Sequence, residues 1–138
     1  MPLRSCLAVP LLLVAWAASA NDARLDGAWE LQSGESINAE GAVVDYASLK
    51  LAGTKLLADG RFAFTTTRAG TFWAGGSGRW QAEAGQYVET PLMASYPLEN
   101  GGTYTFRYTL EGDVWTLERW EGQRRVEREV WKRAPAQP

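Results

Sequence analysis

The stretch that decides the fold contains two alternating segments and the turn between them, Tyr104-Thr105-Phe106-Arg107-Tyr108-Thr109-Leu110-Glu111-Gly112-Asp113-Val114-Trp115-Thr116-Leu117. Apolar and polar side chains alternate on both sides of Gly112, which is the pattern of an antiparallel hairpin with one buried face. A two-residue loop keeps the apolar side chains of both strands on one face, whereas a three-residue loop would separate them. We therefore expect a two-residue loop and a buried face made of Tyr104, Phe106, Tyr108, Leu110, Trp115 and Leu117.

The rest of the chain repeats this pattern of short strands and turns. Strands are predicted near 27–33, 48–57, 61–68, 71–75, 79–83, 86–91, 103–110, 114–120 and 125–132. Turn signals separate most of them, at Asp59-Gly60, Gly75-Gly76-Ser77-Gly78, Gly101-Gly102, Glu111-Gly112-Asp113 and Glu121-Gly122. The longer connections are 34–47 and 92–101. This spacing predicts an all-β fold, an antiparallel barrel or sandwich.

A second hairpin fixes which side chains face inward. With Asp59-Gly60 as a type I′ turn, Leu57 pairs with Phe62 and Lys55 pairs with Phe64. We expect the interior face here to consist of Leu51, Leu57, Phe62 and Phe64. Alternation along the strands also places three charged residues on faces that carry apolar side chains. Lys55 shares the inner face with Leu57, Arg119 shares a face with Trp115 and Leu117, and Glu89 shares a face with Tyr87.

These three charged residues, Lys55, Glu89 and Arg119, have three interpretations. They could lie at the wet rims of the barrel, which is the commonest situation for such residues. They could form a buried structural pair, because a lone buried charge is costly. They could also orient the polar end of a ligand, since a buried cation can be matched by a ligand carboxylate.

The N-terminal segment has the features of a signal peptide. Arg4 precedes an apolar run over 6–16, and Ala18-Ser19-Ala20 is an A-x-A cleavage site before Asn21. The run is too short for a membrane span, which needs about 20 residues. We expect a signal peptide over 1–20, a barrel domain over 21–133, a disordered tail over 134–138, and a periplasmic or secreted protein with no integral membrane span.

Composition argues against several functions. After cleavage 13 Lys and Arg oppose 16 Asp and Glu, because Arg4 leaves with the leader, and this acidic balance disfavours nucleic acid as a partner. The sequence has no His, and its one Cys, Cys6, lies in the leader. The usual general base, the Cys nucleophile and the commonest transition-metal ligands are therefore missing. We expect no enzymatic activity, no metal and no cofactor.

A series of motifs carries a resemblance along nearly the whole mature chain. They are Gly27-x-Trp29, the stretch Lys55-Leu56-Leu57-Ala58-Asp59-Gly60-Arg61-Phe62, Ala74-Gly75-Gly76-Ser77-Gly78, Tyr87-Val88-Glu89-Thr90, the hairpin from Thr105 to Thr116, and Glu129-Val130-Trp131-Lys132-Arg133. In this order they resemble the bacterial lipocalin-like family of the calycin superfamily. The resemblance implies a single antiparallel up-and-down barrel of eight to ten strands, open at one end, that carries a small apolar molecule. It also implies that Trp29 plugs the closed end beneath a basic residue of the last strand, either Arg128 or Arg133.

The resulting hypothesis is an exported barrel that binds a small hydrophobic or amphipathic molecule. Its expected ligand contacts are Lys55, Phe62, Phe64, Glu89, Tyr104, Phe106, Tyr108, Trp115 and Arg119. The alternative is a barrel with a filled core that contacts a protein partner through the connections at 34–47 and 92–101. The two differ in the barrel interior, which contains a cavity in the first case and is solid in the second.

Overall fold

A computed structural model of the protein describes residues 21–98 and 100–138. The predicted signal peptide over 1–20 lies outside the described residues. Nine strands follow one another along the chain: β1 Gly27–Ile37, β2 Val43–Asp45, β3 Leu51–Ala58, β4 Arg61–Arg68, β5 Thr71–Glu83, β6 Gln86–Ala94, β7 Tyr104–Glu111, β8 Val114–Glu121 and β9 Arg124–Arg133. Helical structure in this part of the chain is limited to two short 3₁₀ turns, Ala23–Leu25 and Asn100–Gly102.

Eight of these strands close into an antiparallel up-and-down barrel. The order around the barrel is β1-β3-β4-β5-β6-β7-β8-β9, and β9 pairs with β1 to complete the ring. The short β2 pairs only with the end of β1 and lies outside the ring. The predicted all-β barrel is therefore confirmed, with eight strands in the closed sheet.

Both predicted hairpin registers are confirmed. Leu57 lies opposite Phe62 and Lys55 opposite Phe64 across the β3–β4 pair. Asp59 and Gly60 both have positive φ, 48° and 71°, as a type I′ turn requires. At the β7–β8 hairpin Glu111 lies opposite Val114, so the loop contains only two residues.

The predicted turn at Gly75-Gly76-Ser77-Gly78 is wrong, because these residues lie inside β5. The two strands expected at 71–75 and 79–83 are one long strand with a bulge against β6 between Ser77 and Gly78. The glycines allow β5 and β6 to approach closely: a Cβ atom at Gly78 would overlap the carbonyl oxygen of Thr90, and one at Gly76 would lie 2.9 Å from the carbonyl oxygen of Met93. They serve a close strand contact, not a turn.

The longer connections are also shorter than predicted. β1 continues to Ile37 and β2 forms within the segment expected to be a loop, whereas β6 continues to Ala94. Residues 48–50, expected to begin the next strand, instead lie in the turn over 46–50 before β3. Barrel strands thus extend into both segments that the composition marked as irregular.

The closed end of the barrel is built around Trp29. The 3₁₀ turn Ala23–Leu25 carries the fully buried Leu25 beneath the barrel, and the indole Nε1 of Trp29 donates a hydrogen bond to the Leu25 carbonyl over 2.9 Å. The guanidinium of Arg133 lies 4.3 Å from the Trp29 ring centroid and donates to the carbonyls of Asp26 and Arg24. Arg133 is therefore the basic residue that covers Trp29, while Arg128 lies near Glu118.

Large side chains fill the half of the barrel next to this closed end. The buried core consists of Leu25, Trp29, Leu57, Phe62, Trp80, Ala82, Tyr87, Phe106, Trp115, Leu117 and Trp131. The rings of Tyr87 and Trp115 meet edge to face with centroids 5.0 Å apart, and Trp29 lies 5.3 Å from Trp115. Such aromatic packing leaves this half solid and rigid.

Replacing Gly78 with alanine should destabilise the barrel by about 2–3 kcal/mol, because the new methyl group would meet the backbone of β6, 2.7 Å from the Cα of Pro91. The neighbouring Ser77→Ala change adds no atoms and serves as the matched control. Urea denaturation followed by tryptophan fluorescence measures both. Equal stability of the two variants would contradict the close contact between β5 and β6.

Candidate functional site

A cavity of about 470 Å³ occupies the half of the barrel away from Trp29; we call it the upper cavity. It lies among the inner faces of the strands and the segments that carry Tyr46 and Tyr96. Its lining comprises Leu31, Tyr46, Leu51, Lys55, Phe64, Thr66, Trp73, Ala74, Glu89, Tyr96, Pro97, Tyr104, Phe106, Arg119, Glu127, Glu129 and Trp131. The barrel is therefore solid at one end and hollow at the other.

Small residues at inward positions create this space. Gly53 lies opposite Thr66 in the β3–β4 pair, and Thr66 lies opposite Ala74 in the β4–β5 pair. Phe64 lies opposite Gly76. One layer further down, the inward positions carry Leu57, Phe62 and Trp80, which fill the barrel. The change from bulky to small side chains along the same strands sets the depth of the cavity.

An ion pair forms the floor of the upper cavity. The Lys55 ammonium on β3 lies 2.7 Å from Oε1 of Glu89 on β6, and the Tyr87 hydroxyl donates to the same oxygen over 2.9 Å. Lys55 is only 4% exposed and Glu89 only 7%. The rim interpretation is therefore wrong for both residues, and they form the buried pair that was its alternative.

Aromatic rings surround the Lys55 ammonium. The ring centroids of Phe64, Tyr87, Trp115 and Trp131 lie 5.0–5.9 Å from its nitrogen, which is within the range of cation–π attraction. Burial alone would lower the pKa of Lys55, but Glu89 and the other carboxylates of the cavity more than offset this effect and raise it. Lys55 is therefore a permanent cation at the floor.

A second ion pair lies higher in the wall. Arg119 on β8 contacts Glu127 on β9 over 2.9 Å and Glu121 over 3.2 Å. The Tyr46 hydroxyl donates to Glu127 over 3.2 Å, so the segment after β2 is tied to the same carboxylate. Arg119 thus lines the cavity, as its phase predicted, but its charge is matched by protein carboxylates.

Glu129 on β9 lies between these two pairs. Its Oε2 accepts a 2.9 Å hydrogen bond from the indole Nε1 of Trp131. Within residues 21–98 and 100–138 it makes no ion pair. Burial and the nearby charge of Glu127 raise the pKa of Glu129 to about 7, although Lys55 opposes this shift. At neutral pH Glu129 is therefore partly protonated, unlike an ordinary surface glutamate.

Six of the nine predicted contact residues line the upper cavity: Lys55, Phe64, Glu89, Tyr104, Phe106 and Arg119. The other three do not. Phe62 and Trp115 lie in the solid core below the floor. Tyr108 lies at the closed end, where its hydroxyl donates to Asp22 over 2.8 Å.

The lining residues that were not predicted from the sequence include Glu127, Glu129, Tyr46 and Tyr96. The glutamates had a usable signal, since 127, 129 and 131 alternate on β9 and Trp131 is an obvious core residue. The two tyrosines lie in irregular segments, where alternation gives no information about direction.

Comparison with known proteins adds no family assignment. No protein-family model matches the chain, and no curated protein matches it significantly. Among the described residues, none of the helical segments has the length and apolar character of a membrane span. The same residues contain no group of three or more His, Cys, Asp or Glu side chains that could hold a metal ion.

Breaking the floor pair should lower the free energy of unfolding by much more than the intact pair contributes to it. Lys55→Met leaves the Glu89 carboxylate buried without its cation, and we expect a loss of about 3–5 kcal/mol in unfolding free energy. Adding Glu89→Gln removes that charge while keeping an acceptor for the Tyr87 hydroxyl. The double variant should therefore recover most of the lost free energy of unfolding. Urea denaturation of all three proteins measures the coupling.

The outer pair between Arg125 and Glu118 provides the control, because its side chains are partly exposed. Arg125→Met should cost far less than Lys55→Met. Similar losses at both sites, or no recovery in the double variant, would contradict a buried floor pair.

Replacing Glu129 with glutamine should change how stability depends on pH. The folded pKa of about 7 exceeds the usual 4.5, so this group stabilises the fold below pH 4.5 and loses that contribution as pH rises through 7. The full shift corresponds to at most about 3 kcal/mol, and water in the cavity reduces it. We expect Glu129→Gln to match the native protein near pH about 4 and to exceed it by about 1–2 kcal/mol at pH about 8. Thermal melts across this range measure the difference, and parallel curves would contradict the raised pKa.

Proposed function

We propose that this protein is a lipocalin-like binding protein that holds a small hydrophobic or amphipathic molecule in the upper cavity. The observation that carries the proposal is an eight-stranded barrel with one solid end and a cavity of about 470 Å³ at the other. This volume lies within the range of about 300–1,000 Å³ that is typical of small-molecule pockets. The closed eight-stranded architecture is compatible with the calycin fold that the sequence motifs resemble.

The chemistry of the lining supports an amphipathic guest. Phe64, Trp73, Tyr96, Phe106 and Trp131 supply apolar surface around the cavity. Its polar groups are few and lie at defined positions, in the Lys55–Glu89 pair at the floor and on β8 and β9. Ligand sites commonly combine an apolar wall with a small number of placed polar groups.

The rigid lower half supports a role in binding as well. A cavity above a loosely packed core could collapse, whereas this one has a floor of interlocked aromatic rings. A pre-formed pocket reduces the conformational entropy that binding removes. We propose a carrier or sensor of a small molecule, without a catalytic role, that acts outside the cytoplasm because the A-x-A segment favours export.

A second candidate function is contact with a protein partner at the open end. Four large apolar side chains there are exposed, Phe72 and Trp73 at the start of β5 and Leu92 and Met93 near the end of β6, each with more than half of its surface accessible. Exposed apolar patches often mark interaction surfaces. The apolar patch adjoins the upper cavity, since Trp73 belongs to both.

Filling the upper cavity should weaken the binding of a neutral lipophilic probe such as N-phenylnaphthylamine. Leu51→Trp introduces a bulky ring at a lining position of β3, and we expect at least about a tenfold loss of affinity, equivalent to roughly 1.4 kcal/mol. Leu56→Trp adds the same ring on the same strand at an outward, 52% exposed position and is the matched control. Probe fluorescence measures both variants.

Native protein that does not enhance probe fluorescence would contradict an interior binding site. Equal affinity of the two tryptophan variants would indicate that the probe binds the outer surface, at the exposed apolar patch.

A further inference from the structure

The charges around the upper cavity are not balanced. Three carboxylates line it, those of Glu89, Glu127 and Glu129, against the two cations Lys55 and Arg119. When all five groups are ionised, the described lining carries one excess negative charge. A ligand that enters this space meets that excess in surroundings of lower dielectric than bulk water, where charge interactions are stronger.

Neither cation can pair with a ligand anion without giving up its existing ion pair. Lys55 is bound to Glu89 at 2.7 Å and enclosed by four rings, while Arg119 is bound to Glu127 at 2.9 Å. A ligand carboxylate at Lys55 would displace Glu89 or crowd against it. Displacement would leave Glu89, which is 7% exposed, without its cation, and this is costly for a buried charge. A ligand acid therefore has no favourable position near the floor.

Glu129 is in the opposite situation. Glu129 lines the cavity, and the hydrogen bond from Trp131 engages only its Oε2 atom, not Oε1. Among the described residues, no protein cation lies at ion-pair distance from it. A cation placed beside Glu129 would neutralise the excess charge.

We propose that the polar end of the bound molecule is a cation, a protonated amine or a guanidinium, that pairs with Glu129 while its apolar part packs against the aromatic wall. This inference rests on the proposed function, because it specifies the ligand class for the same cavity. It replaces the ligand carboxylate at Lys55 that the sequence alone suggested.

The pKa of Glu129 supports this assignment and gives it a measurable signature. Pairing with a cation lowers the pKa of a carboxyl group, so binding at pH 7 should release protons from Glu129. The ionisable groups that face Glu129 from the surrounding elements are Lys55 on β3, Tyr87 and Glu89 on β6, Tyr104 on β7, Arg119 on β8, Glu127 on β9, and Tyr46 and Tyr96 in the connections. Lys55 and Arg119 stay charged near neutral pH. We therefore expect Glu129 to contribute most of the proton release.

Three probes of one chain length test the proposal: octylamine, octanol and octanoate. We expect octylamine to bind native protein about tenfold more tightly than octanol, and octanoate to bind more weakly than either, as measured by calorimetry at pH 7. Repeating the octylamine titration in buffers of different ionisation enthalpy should reveal proton release. Octylamine affinity should rise between pH about 6 and pH about 8.

Glu129→Gln should remove the preference for octylamine over octanol and the proton release, while octanol affinity stays within about twofold, which also shows that the variant is folded. Glu118→Gln, on the outer face of β8, is the matched control and should keep both properties. Octanoate binding as tightly as octylamine, or an amine preference that survives Glu129→Gln, would overturn the cation assignment and leave interior binding intact. Failure of all three probes to bind would instead count against the proposed function.

Discussion

The ion pair between Lys55 and Glu89 is the contact on which the organisation of the barrel depends. It connects β3 to β6, which are three strands apart around the ring, and it lies where the solid aromatic core ends and the cavity begins. A buried ion pair seldom stabilises a fold more than packed apolar side chains would. The ion pair matters here because of where it lies. The pair closes the top of the core with charge, so the apolar packing cannot continue upward and the space above stays polar at its base.

The two halves of the barrel follow from side-chain size on shared strands. Eight strands enclose an interior that side chains can just fill, and in the lower half tryptophan, tyrosine and phenylalanine do so. In the upper half Gly53, Thr66 and Ala74 take equivalent inward positions. Glycine at 76 and 78 lets β5 approach β6 closely, because a Cβ atom at either position would meet the backbone of β6. The glycines therefore shape the wall of the barrel, whereas the small inward residues of β3, β4 and β5 shape the cavity.

Much of the fold could be predicted from the sequence because the relevant signals are local. Alternation and turn length gave the β3–β4 and β7–β8 registers, and with them the inward direction of Lys55 and Phe106. The glycine-rich run at 75–78 was misread because glycine has the same composition signal in a turn and in a close strand contact. The sequence offered both Lys55 and Arg119 as cations for a buried pair with Glu89, but alternation could not decide between them, since Glu89 lies 34 residues from Lys55 and across the barrel. The volume of the cavity likewise depends on all eight strands at once.

The segment before β3 is held in place by a contact that no alternation rule describes. Tyr46 lies against Gly34, where any side chain would overlap its ring, and it donates to Glu127 from there. Its backbone is held as well, because its N–H donates to the Gly34 carbonyl and its carbonyl accepts from Leu51. The absence of a side chain at Gly34 thus determines where the connection before β3 crosses the open end. Because Tyr46 and Arg119 both bind Glu127, that carboxylate connects the wall of the cavity to the segment that precedes β3.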